Sequence, residues 1–313
     1  MRIRCSGVRI IGSGSSVSEN RVSNRDLRPD TSAWVEERLG IKERRHLGVD
    51  ETLIMIIENA SRDALLMSGL SASDLDGIIV ATSTPDYLNP SMATILHGRI
   101  GANSECASFD LQAVCAGFVY ALGTVASLIA AKAGQNFLVV GADQFSKITD
   151  FKDRDCVFFG DGAGALIVQS TEGESFLNVE LYSEGSGWSS FHTDNSQGKF
   201  SMNSKEVSRN ASEKLPSSIR AVCDSSGISV DQVDWFVTHQ PSKPVLDSLE
   251  RELNIPAERL LRNIEYRANT AGATIPLLFS ELDVINRAKS GQYLCFSAIG
   301  SGWVWGSAIL KWE

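Results

Sequence analysis

The sequence has little with which to hold a metal. Its four histidines (His46, His97, His192 and His239) show no metal-ligand spacing, and its six cysteines (Cys5, Cys106, Cys115, Cys156, Cys223 and Cys295) form no CxxC pair, so no metal site is expected. Single cysteines scattered through 313 residues do not make a disulfide framework; they fit a reducing compartment. Basic residues are outnumbered, 29 Lys and Arg against 38 Asp and Glu, and the net charge of −9 argues against nucleic acid as a partner. No apolar run is long enough to span a bilayer. The longest, about 116–131, is broken by Gly123, Thr124 and Ser127. The opening "MRIRCSGVRIIGSG" lacks an apolar core followed by a cleavage site and reads as a strand and turn, so a cytoplasmic location is expected. Two glycine patterns are incomplete as nucleotide motifs. "IGSGSS" at 11–16 lacks the third glycine of a dinucleotide fingerprint, and "FFGDGAGALIV" lacks the Lys-Ser/Thr ending of a phosphate loop.

What is present is an alternation of strands and helices. Short β-branched runs ("GIIVAT" at 77–82, "NFLVVGA" at 136–142, "AGALIVQ" at 163–169, "DWFVTH" at 234–239, "QYLCFSA" at 292–298, "SAILKW" at 307–312) lie between helical patterns such as "ETLIMIIENASRDALLMSG" and "KPVLDSLEREL". This predicts an α/β protein with largely buried strands. A weak internal repeat runs through it. Val80 and Val237 come into register at an offset of 157, as do Gly134 and Gly291, and Gly117 faces Gly272 at 155. The repeat makes Cys115 and the residues around Asn269 equivalent helix entrances. Two related halves facing each other would bring those entrances together. One polar excursion, 181–216, interrupts the second half, and excursions of this length often shape substrate entrances.

Four segments carry residues able to do chemistry. In "FDLQAVCAGFVYAL", Cys115 stands where an apolar helix begins, a place where free N–H groups and the helix dipole lower a thiol pKa; the bland reading is a buried structural cysteine. In "WFVTHQPS", His239 follows the end of a buried strand, where active sites of α/β proteins collect, or is a satisfied core histidine. In "RANTAGATIPLL", Asn269 opens a helix and would also serve as its cap. The glycines of "SAIGSGWVWGSAIL" suit either an oxyanion-binding turn or a tight hairpin. Taken together, Cys accepts an acyl group, and His and Asn donate hydrogen bonds to a carbonyl that becomes an enolate. No carboxylate base is needed if the nucleophile forms by loss of carbon dioxide.

With "WVEERLGIKERRH", "DGIIVATSTPDY", "FDLQAVCAGFVYAL", "FGDGAGA", "THQ", "NTAGATIP" and "GWVWGSA" in this order over nearly the whole chain, the sequence resembles the β-ketoacyl-acyl-carrier-protein synthase III family of thiolase-fold condensing enzymes. The resemblance implies a five-layered αβαβα fold from two duplicated halves, 1–168 carrying the nucleophilic Cys and 169–313 carrying His and Asn. It implies that Cys115 carries the acyl group, that His239 and Asn269 drive malonyl decarboxylation and condensation, and that the Cys115 and Ser301 amides form an oxyanion hole. Trp34 and Arg154 would hold the coenzyme A adenine. The substrates would be an acyl-CoA and malonyl-acyl-carrier protein, the assembly a homodimer, with no metal or other cofactor. Arg209, Lys243 and Arg251 are the candidates for docking an acidic carrier protein.

The chain departs from the family pattern around this set. Ser242 replaces the asparagine that touches the pantetheine arm, and Pro244 takes the place of a common docking arginine. Asn89 replaces an aromatic that reaches the acyl pocket across the dimer, Ser301 replaces a loop glycine, and Ser208 stands where an aromatic is common. An intact triad inside an altered tunnel suggests unchanged chemistry on a changed substrate. Fatty-acid initiation is the main expectation. A polyketide or signal-molecule synthase, an acyltransferase that does not decarboxylate, and a non-catalytic partner subunit remain the alternatives, and release of carbon dioxide from a malonyl thioester separates condensation from simple transfer.

Overall fold

A computed structural model describes residues 1–194 and 198–313. Its strands are β1 (Arg2–Ser6), β2 (Val8–Ser16), β3 (Arg21–Ser23), β4 (Glu43–Arg45), β5 (Gly77–Ala81), β6 (Ala107–Leu111), β7 (Asn136–Asp143), β8 (Gly162–Ser170), β9 (Phe176–Ser183), β10 (Phe191–Thr193), β11 (Phe200–Met202), β12 (Trp235–Thr238), β13 (Tyr293–Gly300) and β14 (Val304–Lys311). The β-branched runs supply the buried centres of two five-stranded sheets, ordered β2-β8-β7-β5-β6 and β1-β9-β14-β13-β12. The first sheet runs antiparallel at β2–β8 and β8–β7, then parallel at β7–β5 and β5–β6. In the second, β9–β14 and β14–β13 are antiparallel and β13–β12 parallel, and a parallel bridge from Phe236 to Leu260 stands where the first sheet has β6. The two halves therefore repeat one strand order. β1 extends the second sheet by pairing with β9, although it precedes every strand of the first, and residue 168 lies within β8.

Helices separate and cover the sheets. The main ones are α1 (Leu53–Ser68), α2 (Met92–Ile100), α3 (Gly117–Ala130), α4 (Ser204–Ser226), α5 (Lys243–Leu253) and α6 (Thr274–Glu281). Between the sheets, α3 packs on β1 and β9 of one and β7 and β5 of the other, and α6 packs on β8 and β2. A helix enclosed on both sides must be apolar all round, and nine of the fourteen α3 residues are buried. α1 covers the outer face of the first sheet and α4 that of the second, which gives helix, sheet, helix, sheet, helix. The parallel connections β5–β6 and β5–β7 run through α2 and α3, as parallel pairing demands. Among the described residues no helix is long and apolar enough to cross a membrane.

This arrangement brings the helix entrances together. Cys115 lies in a tight helical turn, Val114–Ala116, that opens α3, and the matching turn Ala271–Ala273 opens α6; the two turns touch. Of the 181–216 excursion, 195–197 lie outside the described residues; the rest gives the end of β9, the paired strands β10 and β11 and the start of α4, lying over the same region.

Candidate active site

Cys115, His239 and Asn269 line one cavity, together with Ser242 and Ser301. His239 follows the last residue of β12, and its amide donates to Ser297 O at 2.8 Å, which fixes it beside β13. Its Nε2 lies 3.0 Å from Asn269 Oδ1, and the Ala271 amide donates to the same oxygen at 2.9 Å. A backbone N–H can meet only the oxygen of a side-chain amide, so the Ala271 bond settles how Asn269 is turned. Nε2, facing that oxygen, then carries the imidazole proton. Burial lowers the His239 pKa to about 4 in spite of the hydrogen bond to Asn269, so the ring is neutral at physiological pH. His239 Nδ1 is buried and has no hydrogen-bond partner among the described residues.

The cysteine departs from expectation. The helix entrance was expected to ionise Cys115. Instead, burial and then the charge of nearby Asp143 push its thiol well above the ordinary thiol range. The dipole of a helix end acts over a turn and is modest, whereas removing a thiolate from water costs far more when no cation lies beside it. Cys115 therefore rests as a thiol. Its backbone is gripped by the β13–β14 hairpin, because a Cβ at Gly300 would lie 3.0 Å from the Cys115 amide nitrogen and 2.9 Å from Ala113 O. Ser301 follows directly and lines the cavity.

The remaining expected residues fall around this centre. Ser242, 6 % exposed, begins α5 without a capping hydrogen bond from its side chain and lines the cavity. Ser208, on α4, lines it too. Trp34 and Arg154 line a neighbouring surface depression with Asp155 and Phe158, and Phe158 is shared with the Cys115 cavity. Asn89 is exposed and lies outside the cavity of its own chain. Arg209 pairs loosely with Glu206 at 3.8 Å, and Lys243 pairs with Asp247 at 2.6 Å. Arg251 bonds Ser248 Oγ at 3.4 Å.

Sequence reasoning missed three features. Arg262 pairs with Asp247 at 2.7 Å and with Glu250, so two of the three acids of α5 are already matched. Four rings (Phe145, Phe159, Phe191 and Phe200) pack on one another beside Cys115, with Phe145 and Phe159 stacked at 4.4 Å. Asp143, wholly buried, ends β7. A charge at the carboxyl end of an otherwise apolar strand was the available signal for it.

Comparisons with known proteins place the chain in a family. The family model for 3-oxoacyl-acyl-carrier-protein (ACP) synthase III matches residues 109–185, and its C-terminal counterpart matches 223–312. A β-ketoacyl-acyl-carrier-protein synthase III from Rhizorhabdus wittichii is 38% identical over 97% of this chain and 98% of its own. The crystal structure of 3-oxoacyl-acyl-carrier-protein synthase III from Aquifex aeolicus superposes with a TM-score of 0.93 at 35% identity, covering 98% of this chain and 100% of that one. The priming β-ketosynthase of the R1128 polyketide pathway superposes at 0.92 with 28% identity, covering 99% and 97%. The chain belongs to the 3-oxoacyl-acyl-carrier-protein synthase III family.

Proposed function

We propose that this protein is an acyl-thioester condensing enzyme in which the Cys115 thiol displaces coenzyme A from an acyl-CoA and the resulting thioester is condensed with malonyl-acyl-carrier protein. In the first step the sulfur–acyl bond forms, the bond to coenzyme A breaks, and the thiol proton leaves with the coenzyme. In the second, the malonyl group loses carbon dioxide. The enolate oxygen then accepts from Asn269 Nδ2–H and from His239 Nε2–H, which turns to the substrate from its resting bond to Asn269 Oδ1. The carbanion attacks the acyl carbon, the tetrahedral oxyanion accepts from the Cys115 and Ser301 amides, and the cysteine sulfur leaves and regains a proton. The observation that carries this reading is the convergence of Cys115, His239 and Asn269 on one cavity.

Residues 1–168 then supply the nucleophile and 169–313 the donors. Trp34 and Arg154, at the adjoining depression, hold the coenzyme A nucleotide, and Ser242 contacts the pantetheine arm. Arg209, Lys243 and Arg251 meet the carrier protein. The chemistry calls on no metal or prosthetic group, and the enzyme works in the cytoplasm as a homodimer. The unpaired edge of β6, with exposed Phe109 and the neighbouring Asn89 loop, is its pairing surface. The test is intact-protein mass after incubation with a panel of acyl-CoAs. An adduct on the wild type and none on Cys115→Ser supports the nucleophile. Adduct formation without carbon dioxide release from malonyl thioester refutes condensation in favour of plain acyl transfer.

A further inference from the structure

The carboxylate of Asp143 has no part in the steps above, yet it lies fully buried beside Cys115. All the hydrogen bonds to it come from neutral donors. Oδ1 accepts from the Ser83 amide at 2.8 Å, the Ser83 hydroxyl at 2.9 Å, the Thr84 hydroxyl at 2.8 Å and the Thr82 hydroxyl at 3.4 Å. Oδ2 accepts from the Gly272 amide at 2.8 Å. So many donors on one group suit a carboxylate better than a neutral acid, which would need an acceptor for its own proton.

Two consecutive amides define what this group does. The Ala271 N–H goes to Asn269 Oδ1 and the Gly272 N–H goes to Asp143 Oδ2. Ala271 sits at φ 48°, a region a non-glycine residue occupies only when its surroundings hold it there. The fit leaves no slack. A Cβ at Gly272 would lie 2.9 Å from Asp143 Oδ2 and 3.4 Å from Val114 O, and one at Gly141 would lie 2.3 Å from Gly272 O. Asp143 is thus the group of the first half that holds the turn from which the second half presents Asn269.

We propose that Asp143 is a positioning residue of the condensation, clamping the Ala271–Ala273 turn, and through it the Asn269 amide, to the strand end beneath Cys115. The inference rests on the role given above to Asn269. It separates the two half-reactions, because acylation of Cys115 needs the oxyanion amides and decarboxylation needs the Asn269 donor.

The full-length enzyme is assayed for both: acylation by intact mass with acetyl-CoA, and carbon dioxide release from malonyl-acyl-carrier protein. Asp143→Asn places an amide –NH2 where acceptors are required. Carbon dioxide release is expected to fall at least about tenfold more than acylation, the worth of one charged hydrogen bond. Ser83→Ala, which removes one donor and keeps the carboxylate, is expected to show the same bias at smaller size, and it decides the matter if Asp143→Asn fails to fold. In the Asn269→Ala background, either substitution is expected to change carbon dioxide release less than about twofold, because residues acting as one unit are not additive. Equal loss of both half-reactions, unchanged carbon dioxide release, or full additivity with Asn269→Ala would overturn the clamp. If Asn269→Ala alone leaves carbon dioxide release intact, the reading of Asn269 fails and the clamp with it; additivity on top of a damaging Asn269→Ala rejects the clamp alone.

Discussion

His239 and Asn269, 30 residues apart in sequence, share one oxygen: Asn269 Oδ1 accepts from the imidazole Nε2 and from the Ala271 amide. That shared acceptor leaves the Asn269 Nδ2 amide free to donate to a substrate and keeps the imidazole proton on Nε2, which must turn from Asn269 to donate to one. Asn269→Asp keeps the size and the acceptor and removes the Nδ2 donor. Decarboxylation is expected to fall by roughly 10²–10³, the usual cost of losing one preorganised donor to a developing oxyanion. The new carboxylate beside the ring would also raise the His239 pKa from its value of about 4, and an NMR titration of the ring reads that directly. A ring that still titrates near 4 in this variant would show that the two side chains are not coupled.

Much of this site was legible in the sequence, for a local reason. Cys115, His239 and Asn269 each stand at the end of a strand or the start of a helix, and the repeat placed the two helix entrances opposite each other. What was not legible depends on distant partners. Asp143 is 129 residues from Gly272 and 59 from Thr84, so nothing near it announces the clamp. The four phenylalanines come from four separate segments. The protonation of Cys115 turns on whether burial outweighs the helix end, which only the packed structure decides. Lys243 reads as a free cation because Arg262, which shares Asp247 with it, arrives from another loop.

The buried, neutral His239 makes stability depend on pH in a defined window. Its pKa is about 6.5 unfolded and about 4 folded, so the unfolded chain takes up the proton first. Its contribution is complete above pH 6.5 and is lost progressively on acidification to about pH 4. The full difference is roughly 3 kcal/mol at 1.36 kcal/mol per unit. Urea midpoints are therefore expected to drop more steeply between these limits in the wild type than in His239→Gln. Parallel curves for the two proteins would mean that His239 is not the titrating group.

Among the docking candidates, Arg251 is the cleanest to test. Its side-chain hydrogen bond to Ser248 is long, and among the described residues it joins no ion pair that charge reversal would break. Arg251→Glu is expected to raise the apparent KM for carrier protein about five- to tenfold at low salt, with the effect shrinking as salt screens the approach. Acylation by acyl-CoA should be unchanged. A matching loss in both activities would place Arg251 outside the docking surface.

The phenyl cluster beside Cys115 is expected to set the size of the acyl group. Phe145 and Phe159 stack at 4.4 Å, and Phe191 closes against them at 6.3 and 5.9 Å from the β10–β11 hairpin, so an acyl chain on Cys115 meets rings that are already packed together. A chain too long for the space must displace a ring, and a close-packed wall yields only at a cost. Once that limit is reached, each added methylene is expected to lower the acylation rate of the wild type roughly tenfold or more. Phe191→Ala removes the ring that closes the cluster and costs about 3–5 kcal/mol of stability as a buried large-to-small change. Its acylation profile against a series of straight-chain acyl-CoAs is expected to extend to longer chains while the acetyl rate holds within a few fold. The same cut-off in both proteins would mean that the chain leaves Cys115 by another path, toward the polar hollow lined by Ser83, Gln112 and His192. Gln112→Leu, not Phe191→Ala, would then shift the profile.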